Sequence, residues 1–214
     1  MRFFTLIVLF FLLHIGLFAQ TPSREVRAAW ITTNWGLDWP TQGTSVQAQK
    51  DELRNILNQL QEYNFNTVLF QARAQGRVFY KSKIESLSPF FNHSDNFDPL
   101  AFAIEECHKR GMECHAWLIT YPVEKAKVKY TGRGKRRKAI VTEKKPDYYK
   151  LIDDRWYLDP GRPETRQRIV SLVNEIVSNY DIDGIHFDYI RYPSNTRKFP
   201  DEDTYKKYGQ GKSL

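Results

Sequence analysis

Residues 181–193 read DIDGIHFDYIRYP, and this stretch decides the fold prediction. From Gly184 onward apolar and polar side chains alternate with a period of two, which predicts a short strand. A helical pattern precedes it, as in the earlier units of the chain, so the strand is expected to lie parallel to its neighbours. Asp188 then falls at the carboxyl end of the strand, where α/β folds place their chemistry. The alternative is that Asp188 only caps the next loop.

The same order of strand and helix runs through the rest of the chain. Strands are predicted at 25–33, 65–73 and 112–120, helices at 46–63, 99–110 and 163–180, and irregular connections at 74–97 and 121–158. This alternation fits a doubly wound sheet or a (β/α)₈ barrel. The first strand has no Gly-rich phosphate loop after it, which disfavours dinucleotide binding. A barrel needs eight units, so residues 24–214 are predicted to be the N-terminal portion of a (β/α)₈ barrel with about four parallel strands.

The N-terminus has the pattern of a secretory signal peptide. Arg2 is followed by FFTLIVLFFLL, and a small residue, Ala19, marks the predicted cleavage site at the end of residues 1–19. The apolar run is shorter than the roughly 20 residues of a membrane span. The alternative is an uncleaved anchor. Either way the domain is predicted to be exported from a bacterial cell, to the periplasm or the extracellular space, with no stable membrane anchor expected.

Charge and cysteine content narrow the possible partners. The formal net charge of +7 is not accompanied by a nucleic-acid-binding motif, so no nucleic-acid partner is predicted. The stretch 125–138 carries eight Lys or Arg and no acid, which fits contact with an anionic polymer or a solvated loop. Two cysteines, Cys107 and Cys114, are too few for a disulfide framework and are predicted to be buried thiols, with a disulfide as the alternative.

Polar and aromatic residues gather where the four predicted strands end. Asp188 is the candidate catalytic residue, because a carboxylate there can act as nucleophile or stabilise an oxocarbenium-like transition state. Aromatic rings offer apolar faces to sugars, and Arg and His can hold the carboxylate ionised. Gln71 and Arg73 are expected on the same face of the second strand. The candidate substrate-binding residues are Asn34, Gln71, Arg73, Trp117, Tyr121, His186, Tyr189 and Arg191.

Several of these residues also have a purely structural explanation. His115 and His186 fit core histidines, and Arg73 fits a partner for a structural carboxylate. Asp183 lies at the entrance of its strand, where it would satisfy backbone groups. A zinc site from His115, His186 and Asp188 is conceivable, but no ligand pair has the spacing of a known metal motif, so no metal or cofactor is predicted.

Five ordered blocks of the chain carry a family resemblance. They are REVRAAWITT (24–33) with LDWP (37–40), NTVLFQAR (66–73), FDPLAFAIEECHKRGMECHAWL (97–118), YLDPGRPETR (157–166) and DGIHFDYIRYP (183–193). In these blocks the chain resembles the bacterial glycosyl hydrolase-like 10 family of secreted (β/α)₈ proteins. The resemblance implies glycoside hydrolysis of a cell-wall polysaccharide, and some members are similar to enzymes that cut peptide-free glycan strands of peptidoglycan. It also implies that Asp188 is the strand-four carboxylate of the active site, as in the looser likeness to α-amylase-type barrels.

The chain departs from the family pattern in three places. It has LITYPV (118–123) where the family often has Asn-Pro-Tyr-Arg, and Gly76-Arg77 where the family often has an acid. The family domain also continues further, so the chain is expected to be truncated at its C-terminus. Hydrolysis needs two carboxyl groups about 5 to 10 Å apart, and Asp38 and Glu124 are the candidates for the second. A non-catalytic glycan-binding protein and an inactive fragment are the alternative functions.

Overall fold

The computed structural model describes residues 25–131, 138–193 and 196–210. In chain order the elements are β1 (Ala28–Ile31), α1 (Val46–Glu62), β2 (Thr67–Ala74), β3 (Arg77–Val78), α2 (Pro99–His108), β4 (Glu113–Ile119), β5 (Pro122–Lys125), β6 (Val128–Thr131), β7 (Lys138–Val141), β8 (Tyr149–Ile152), β9 (Arg155–Leu158), α3 (Pro163–Asn179), β10 (Gly184–Asp188) and α4 (Glu202–Tyr208). Short 3₁₀ turns cover Asn34–Gly36, Ser94–Asn96 and Thr196–Lys198. The predicted signal peptide lies outside the described residues. Within them, no helix combines the length and apolar character that crossing a bilayer requires.

Four parallel strands form the central sheet, in the order β1-β2-β4-β10. Ala28 of β1 pairs with Thr67 of β2, and Gly184 of β10 pairs with His115 of β4. The short strand β3 joins the carboxyl end of β2 in the antiparallel direction. The predicted α/β fold with four parallel strands is therefore confirmed.

Helices α2 and α3 begin at residues that are typical of helix starts. Asp98 accepts a hydrogen bond from the Ala101 N–H at 3.1 Å, and Pro99 occupies the first turn of α2. Pro163 begins α3 in the same way. The Asp98 cap and the two prolines mark where α2 and α3 start.

The two faces of the central sheet have different surroundings. On one face the apolar side chains of β2 and β4 pack under the helices. Buried residues of this core include Val68, Phe70, Cys114, Ala116, Leu118, Leu53, Leu57, Leu100 and Ile176. The other face carries Trp30, whose side chain is exposed, and the polar residues at the strand ends. Because successive side chains of a strand point to opposite faces of the sheet, the apolar core lies on one face and the candidate site residues lie on the other.

The connection at 121–158 is not irregular, so that prediction is wrong. Strands β5, β9 and β8 form an antiparallel sheet, and β6 and β7 pair as a hairpin. Each strand has only four residues, too few for a clear alternating pattern, and β5 pairs with a strand far along the chain, Pro122 with Tyr157. The basic stretch 125–138 contains β6 and ends at the first residue of β7, and its residues 132–137 lie outside the described residues.

The amino end of β10 is held by Asp183, as predicted. Its Oδ2 accepts hydrogen bonds from the Cys114 N–H at 2.7 Å and from His108 Nε2 at 2.8 Å. Cys107 and Cys114 are buried free thiols, which confirms that prediction too. The pKa of the Cys114 thiol is raised above its usual value. The larger cause is its hydrogen bond with Cys107, and the smaller one is its burial. These contacts belong to the packing of α2 against β4 and β10.

Glu106 provides a pH-dependent contact on α2. It is buried and lies 2.9 Å from Arg110 Nη1, 3.1 Å from Lys109 Nζ and 3.4 Å from Arg54 Nε. Burial alone would raise the pKa of Glu106, but the hydrogen bonds from Arg110 and Lys109 and the charge of Arg54 outweigh it. They lower the pKa from 4.5 to about 2. The resulting stabilisation is complete above pH 4.5 and is lost as the pH falls from 4.5 towards 2.

We expect Glu106→Gln to lower the free energy of unfolding at pH 7 by about 1.5–3 kcal/mol, the range for hydrogen bonds to charged groups. The difference from the wild type should shrink as the pH falls below 4.5. Urea unfolding at a series of pH values measures both. Glu105→Gln, at the exposed neighbouring position, is the control and should change stability little. A difference that stays constant down to pH 2 would contradict the assignment.

Candidate active site

A cavity of about 430 Å³ opens at the carboxyl ends of β1, β2 and β4. This is within the size range of small-molecule sites. It lies at the edge of the sheet where the sequence predicted a site. Its lining residues are Thr32, Asn34, Trp35, Gln71, Ala74, Gln75, Trp117, Ile119, Pro122, Arg155, Tyr157 and Tyr189.

The carboxylate of Asp188, the last residue of β10, accepts hydrogen bonds from two N–H donors. Its Oδ2 accepts a hydrogen bond from Trp117 Nε1 at 3.1 Å, and its Oδ1 accepts one from the Tyr189 N–H at 2.7 Å. The Asp188 main-chain oxygen accepts a further bond from the Thr120 N–H at 2.8 Å. Trp117 and Tyr189 both line the cavity, whereas Asp188, His186 and Arg191 are not among its lining residues. The two hydrogen bonds therefore hold the carboxylate in a defined orientation directly behind two residues of the cavity wall.

The chain turns sharply after Asp188. Tyr189 has a φ of 50°, in the left-handed region that residues other than glycine seldom adopt. The turn leaves the Tyr189 ring exposed at the cavity wall, and the Arg191 guanidinium lies 5.3 Å from the ring centroid. Such strain persists only where the surroundings hold the backbone in place, and it is common at functional sites. The structure therefore brings the predicted residues Tyr189 and Arg191 together, and of the two only Tyr189 lines the cavity.

Gln71 organises the loop that follows β1. Its side-chain oxygen accepts hydrogen bonds from Thr32 Oγ1 at 2.8 Å and from the Thr33 and Asn34 N–H groups at 2.9 Å each. The Asn34 side-chain oxygen in turn accepts a bond from Gln75 Nε2. Gln71 and Asn34 both line the cavity, where the sequence placed them.

His186 lies on the same face of the sheet and contacts the opposite edge strand. Trp30 Nε1 of β1 donates to His186 Nε2 of β10 at 3.3 Å, and the two rings meet edge to face with centroids 5.8 Å apart. In a flat sheet these outer strands would lie roughly 14 Å apart, at about 4.8 Å per neighbouring pair. The contact shows that the sheet curls towards the face of the cavity, as the wall of a barrel does.

The structure places Arg73 away from the cavity and does not bring it to its predicted substrate-binding position. The pairing of β2 with β4 shifts between Gln71 and Arg73, which adds one residue and breaks the period of two. Arg73 is only 1% exposed, and its Nε and Nη2 donate to Glu85 at 2.7 and 2.9 Å. Its Nη1 donates to the Thr120 carbonyl at 3.1 Å and to the Ile119 carbonyl. The pairing with a structural carboxylate, left open by the sequence, is what the structure shows.

Tyr121 is likewise not among the residues that line the cavity. Its main-chain carbonyl accepts a hydrogen bond from the Leu158 N–H at 2.9 Å, next to the pairing of β5 with β9. Burial raises the pKa of its phenol.

The two candidates for the second carboxylate have structural partners. Asp38 Oδ2 accepts a hydrogen bond from the Thr32 N–H at 2.8 Å. Glu124 lies 2.8 Å from Lys145 Nζ and 3.1 Å from Arg77 Nη2. Burial would raise the pKa of Glu124, but these two cations outweigh it and lower the pKa. A general acid needs the opposite shift, so Glu124 is poorly suited to that role.

No group of three or more His, Cys, Asp and Glu side chains is arranged to hold a metal ion in the described part of the chain. His115, one residue of the conceivable zinc set, lies with its Nε2 3.1 Å from Glu113 Oε2.

Eight of the twelve lining residues are not among the predicted substrate-binding residues, Trp35, Gln75, Arg155 and Tyr157 among them. Trp35 and Gln75 both have left-handed backbone conformations, with φ of 56° and 52°, which no sequence pattern reports at these positions. Arg155 and Tyr157 come from β9, inside the stretch predicted to be irregular. The one available signal was Tyr157, which begins the block YLDPGRPETR.

The whole described chain matches a known family. Residues 25–214 match the family model described as Glycosyl hydrolase-like 10. This chain belongs to the glycosyl hydrolase-like 10 family. The prediction made from the five sequence blocks is thereby confirmed.

Two curated proteins are similar to this glycosyl hydrolase-like 10 chain. Glycosyl hydrolase YngK of Bacillus subtilis is 35% identical over 96% of this chain and 41% of its own length. Glycosyl hydrolase DigH of Escherichia coli K12 is 34% identical over 89% of this chain and 47% of its own length. The chain therefore spans less than half the length of either relative.

A solved structure shares the fold of this glycosyl hydrolase-like 10 chain. It is a GH20 exo-β-N-acetylglucosaminidase from Vibrio harveyi in complex with N-acetylglucosamine, with a TM-score of 0.50 and 12% identity. The match covers 88% of this chain and 31% of that one. At this identity the likeness concerns the fold alone, and it confirms the prediction of a (β/α)₈-type architecture, of which the described residues contain four parallel strands.

Proposed function

We propose that this protein is an exported bacterial glycoside hydrolase that cleaves the glycan strands of peptidoglycan. The observation that carries the proposal is the placement of Asp188. Its carboxylate lies at the carboxyl end of a parallel strand, held by Trp117 Nε1 and the Tyr189 N–H beside a cavity of about 430 Å³. Family membership supports glycoside chemistry. Peptidoglycan, as the cell-wall polysaccharide, is suggested by the family resemblance, and export is suggested by residues 1–19.

Asp188 has the role of nucleophile or charge stabiliser in this proposal. A carboxylate below the anomeric carbon stabilises the positive charge that develops on the sugar ring as the glycosidic bond breaks. Trp117, Tyr157 and Tyr189 supply flat apolar faces for the sugar ring. Asn34 and Gln71, which also line the cavity, supply amide groups. Arg73 acts as a positioning residue for Asp188. It donates to the carbonyls of Ile119 and Thr120, and the Thr120 N–H in turn donates to the main-chain oxygen of Asp188.

The second carboxyl group that hydrolysis requires is expected to come from outside the described residues. Asp38 and Glu124 are engaged by the Thr32 N–H and by two cations, respectively. Both curated relatives are more than twice as long as the matched region. The substrate-cleaving form in this proposal is therefore the full gene product.

The proposal is tested by incubating the full gene product with purified, peptide-free glycan strands and measuring new reducing ends and the mass of the products. We expect reducing ends to accumulate with time, and none to form from amylose, the control polysaccharide. Binding to sacculi with no release of sugars would overturn hydrolysis in favour of a glycan-binding protein. Cleavage of amylose but not of the strands would overturn the choice of substrate.

A further inference from the structure

A second cavity, of about 240 Å³, adjoins the one beside Asp188. The two cavities share four lining residues, Asn34, Trp35, Ala74 and Gln75. They are therefore neighbouring compartments of one groove, with the shared residues at their junction. The first compartment is next to Asp188, and the second extends away from it towards β3 and β5.

Trp35 lies at this junction with an exposed side chain and a left-handed backbone conformation, which is unusual for a tryptophan. It is 55% exposed and has a left-handed backbone conformation inside the 3₁₀ turn Asn34–Gly36. Gln75, across the junction, is also left-handed, and its Nε2 donates to Asn34 Oδ1. The two strained turns are thus linked by a hydrogen bond. A large ring held at the surface by constrained backbone is suited to stacking against a flat apolar ligand face.

The second compartment combines apolar walls with a charged edge. Phe79, Pro89 and Phe90 line it together with Trp35 and Ala74. Arg77 and Glu124 also line it, and they form an ion pair at 3.1 Å. Apolar walls with a few polar groups match the faces and hydroxyl edge of a pyranose ring. The same groups offer both a hydrogen-bond donor and an acceptor.

We propose that the second cavity is a second sugar-binding site, which holds the ring next to the one bound beside Asp188, with Trp35 as the platform between them. This inference rests on the proposed function. Its occupant is a neighbouring sugar of the same glycan chain, because the two cavities are continuous through Trp35 and Gln75. The protein then binds glycan chains more tightly than single sugars. Its affinity increases with the number of sugar rings until both compartments are filled.

Length dependence of binding tests the inference. The probes are peptide-free glycan strands of one, two, four and six sugars, titrated calorimetrically into the full gene product carrying Asp188→Asn, which prevents turnover. We expect affinity to rise about tenfold between the shortest and the longest probes. Phe90→Ala and Arg77→Met change residues that line the second compartment and not the first. Each variant should show a smaller rise of affinity with probe length and keep the parent's affinity for the shortest probe that binds. Trp35→Ala should weaken binding of every probe about fivefold or more.

Leu37→Ala is the matched control, since Leu37 is exposed in the same loop and lines neither cavity. It should bind like the parent protein, and thermal melting of each variant checks its fold. The inference is overturned if Phe90→Ala and Arg77→Met, both folded, keep the parent's length dependence, or if the parent binds all lengths equally. A parent protein that binds no strand of any length, and whose wild type cleaves none, instead overturns the proposed function.

Discussion

Asp188→Asn in the full gene product is expected to reduce glycoside hydrolysis by at least about a thousandfold, equivalent to about 4 kcal/mol of transition-state stabilisation. Asparagine has nearly the shape of aspartate and can still accept from Trp117 Nε1, now 3.1 Å from the carboxylate. It carries no charge, so it can neither attack the anomeric carbon nor balance the positive charge that develops there. The measurement is the initial rate of reducing-end formation from peptide-free glycan strands, with a thermal melt to show that the fold is kept.

Asp181→Asn is the matched control for this substitution. Asp181 is exposed and precedes β10, so it lies at the other end of the same strand from Asp188. The same chemical change there should leave the rate within about twofold of the wild type. Unchanged turnover in Asp188→Asn would remove this residue from the chemistry. An equal loss in both variants would point to a general effect on folding.

Glu85→Ala is expected to lower the free energy of unfolding by about 3–5 kcal/mol, the usual cost of removing one partner from a buried ion pair. Glu85 is buried and accepts hydrogen bonds from Arg73 at 2.7 and 2.9 Å and from Arg168 at 3.0 and 3.2 Å. Burial alone would raise the pKa of Glu85, but the two arginines outweigh it and lower the pKa. Without Glu85 the Arg73 guanidinium would remain buried with only carbonyl partners.

Denaturant unfolding measures the loss, and Glu105→Ala provides the control. Glu105 pairs with Lys109 at 2.6 Å on an exposed helix surface, so its removal should cost less than about 1 kcal/mol. Combining Glu85→Ala with Arg73→Met removes the orphaned charge, so the double variant should lose less than the sum of the two single losses. Additive losses would show that the two side chains are not energetically coupled.

The parallel core was predictable because its signals are local. Asp98 followed by Pro99 marks a helix start, and strands such as Thr67–Ala74 are long enough to show their pattern. The five short strands between Pro122 and Leu158 gave no such signal. Four of them form hairpins of four-residue strands, β6 with β7 and β8 with β9, which are too short to show a pattern. The fifth, β5, pairs with residues distant in sequence, such as Pro122 with Tyr157, and a pattern within one segment does not contain that pairing.

The site was predictable where it depends on strand ends and unpredictable where it depends on backbone detail. Asp188, Trp117 and Gln71 follow from the rule that carboxyl ends of parallel strands meet. Arg73 departs from its expected position because one extra residue in β2 redirects it towards Glu85, which lies in a loop without regular structure. Trp35 lines the cavity because its backbone is in the left-handed conformation, which the sequence does not predict at this position.

The bond between Trp30 and His186 has a further implication for how such a wall arises. Two side chains from the outermost of four adjacent strands can meet only if the intervening pair, β2 and β4, is already bent. The curvature of the sheet therefore arises from these four strands and their side chains, and closure of a barrel is not needed to produce it. The sheet formed by these four strands is therefore already curved towards the face that carries Trp30 and His186.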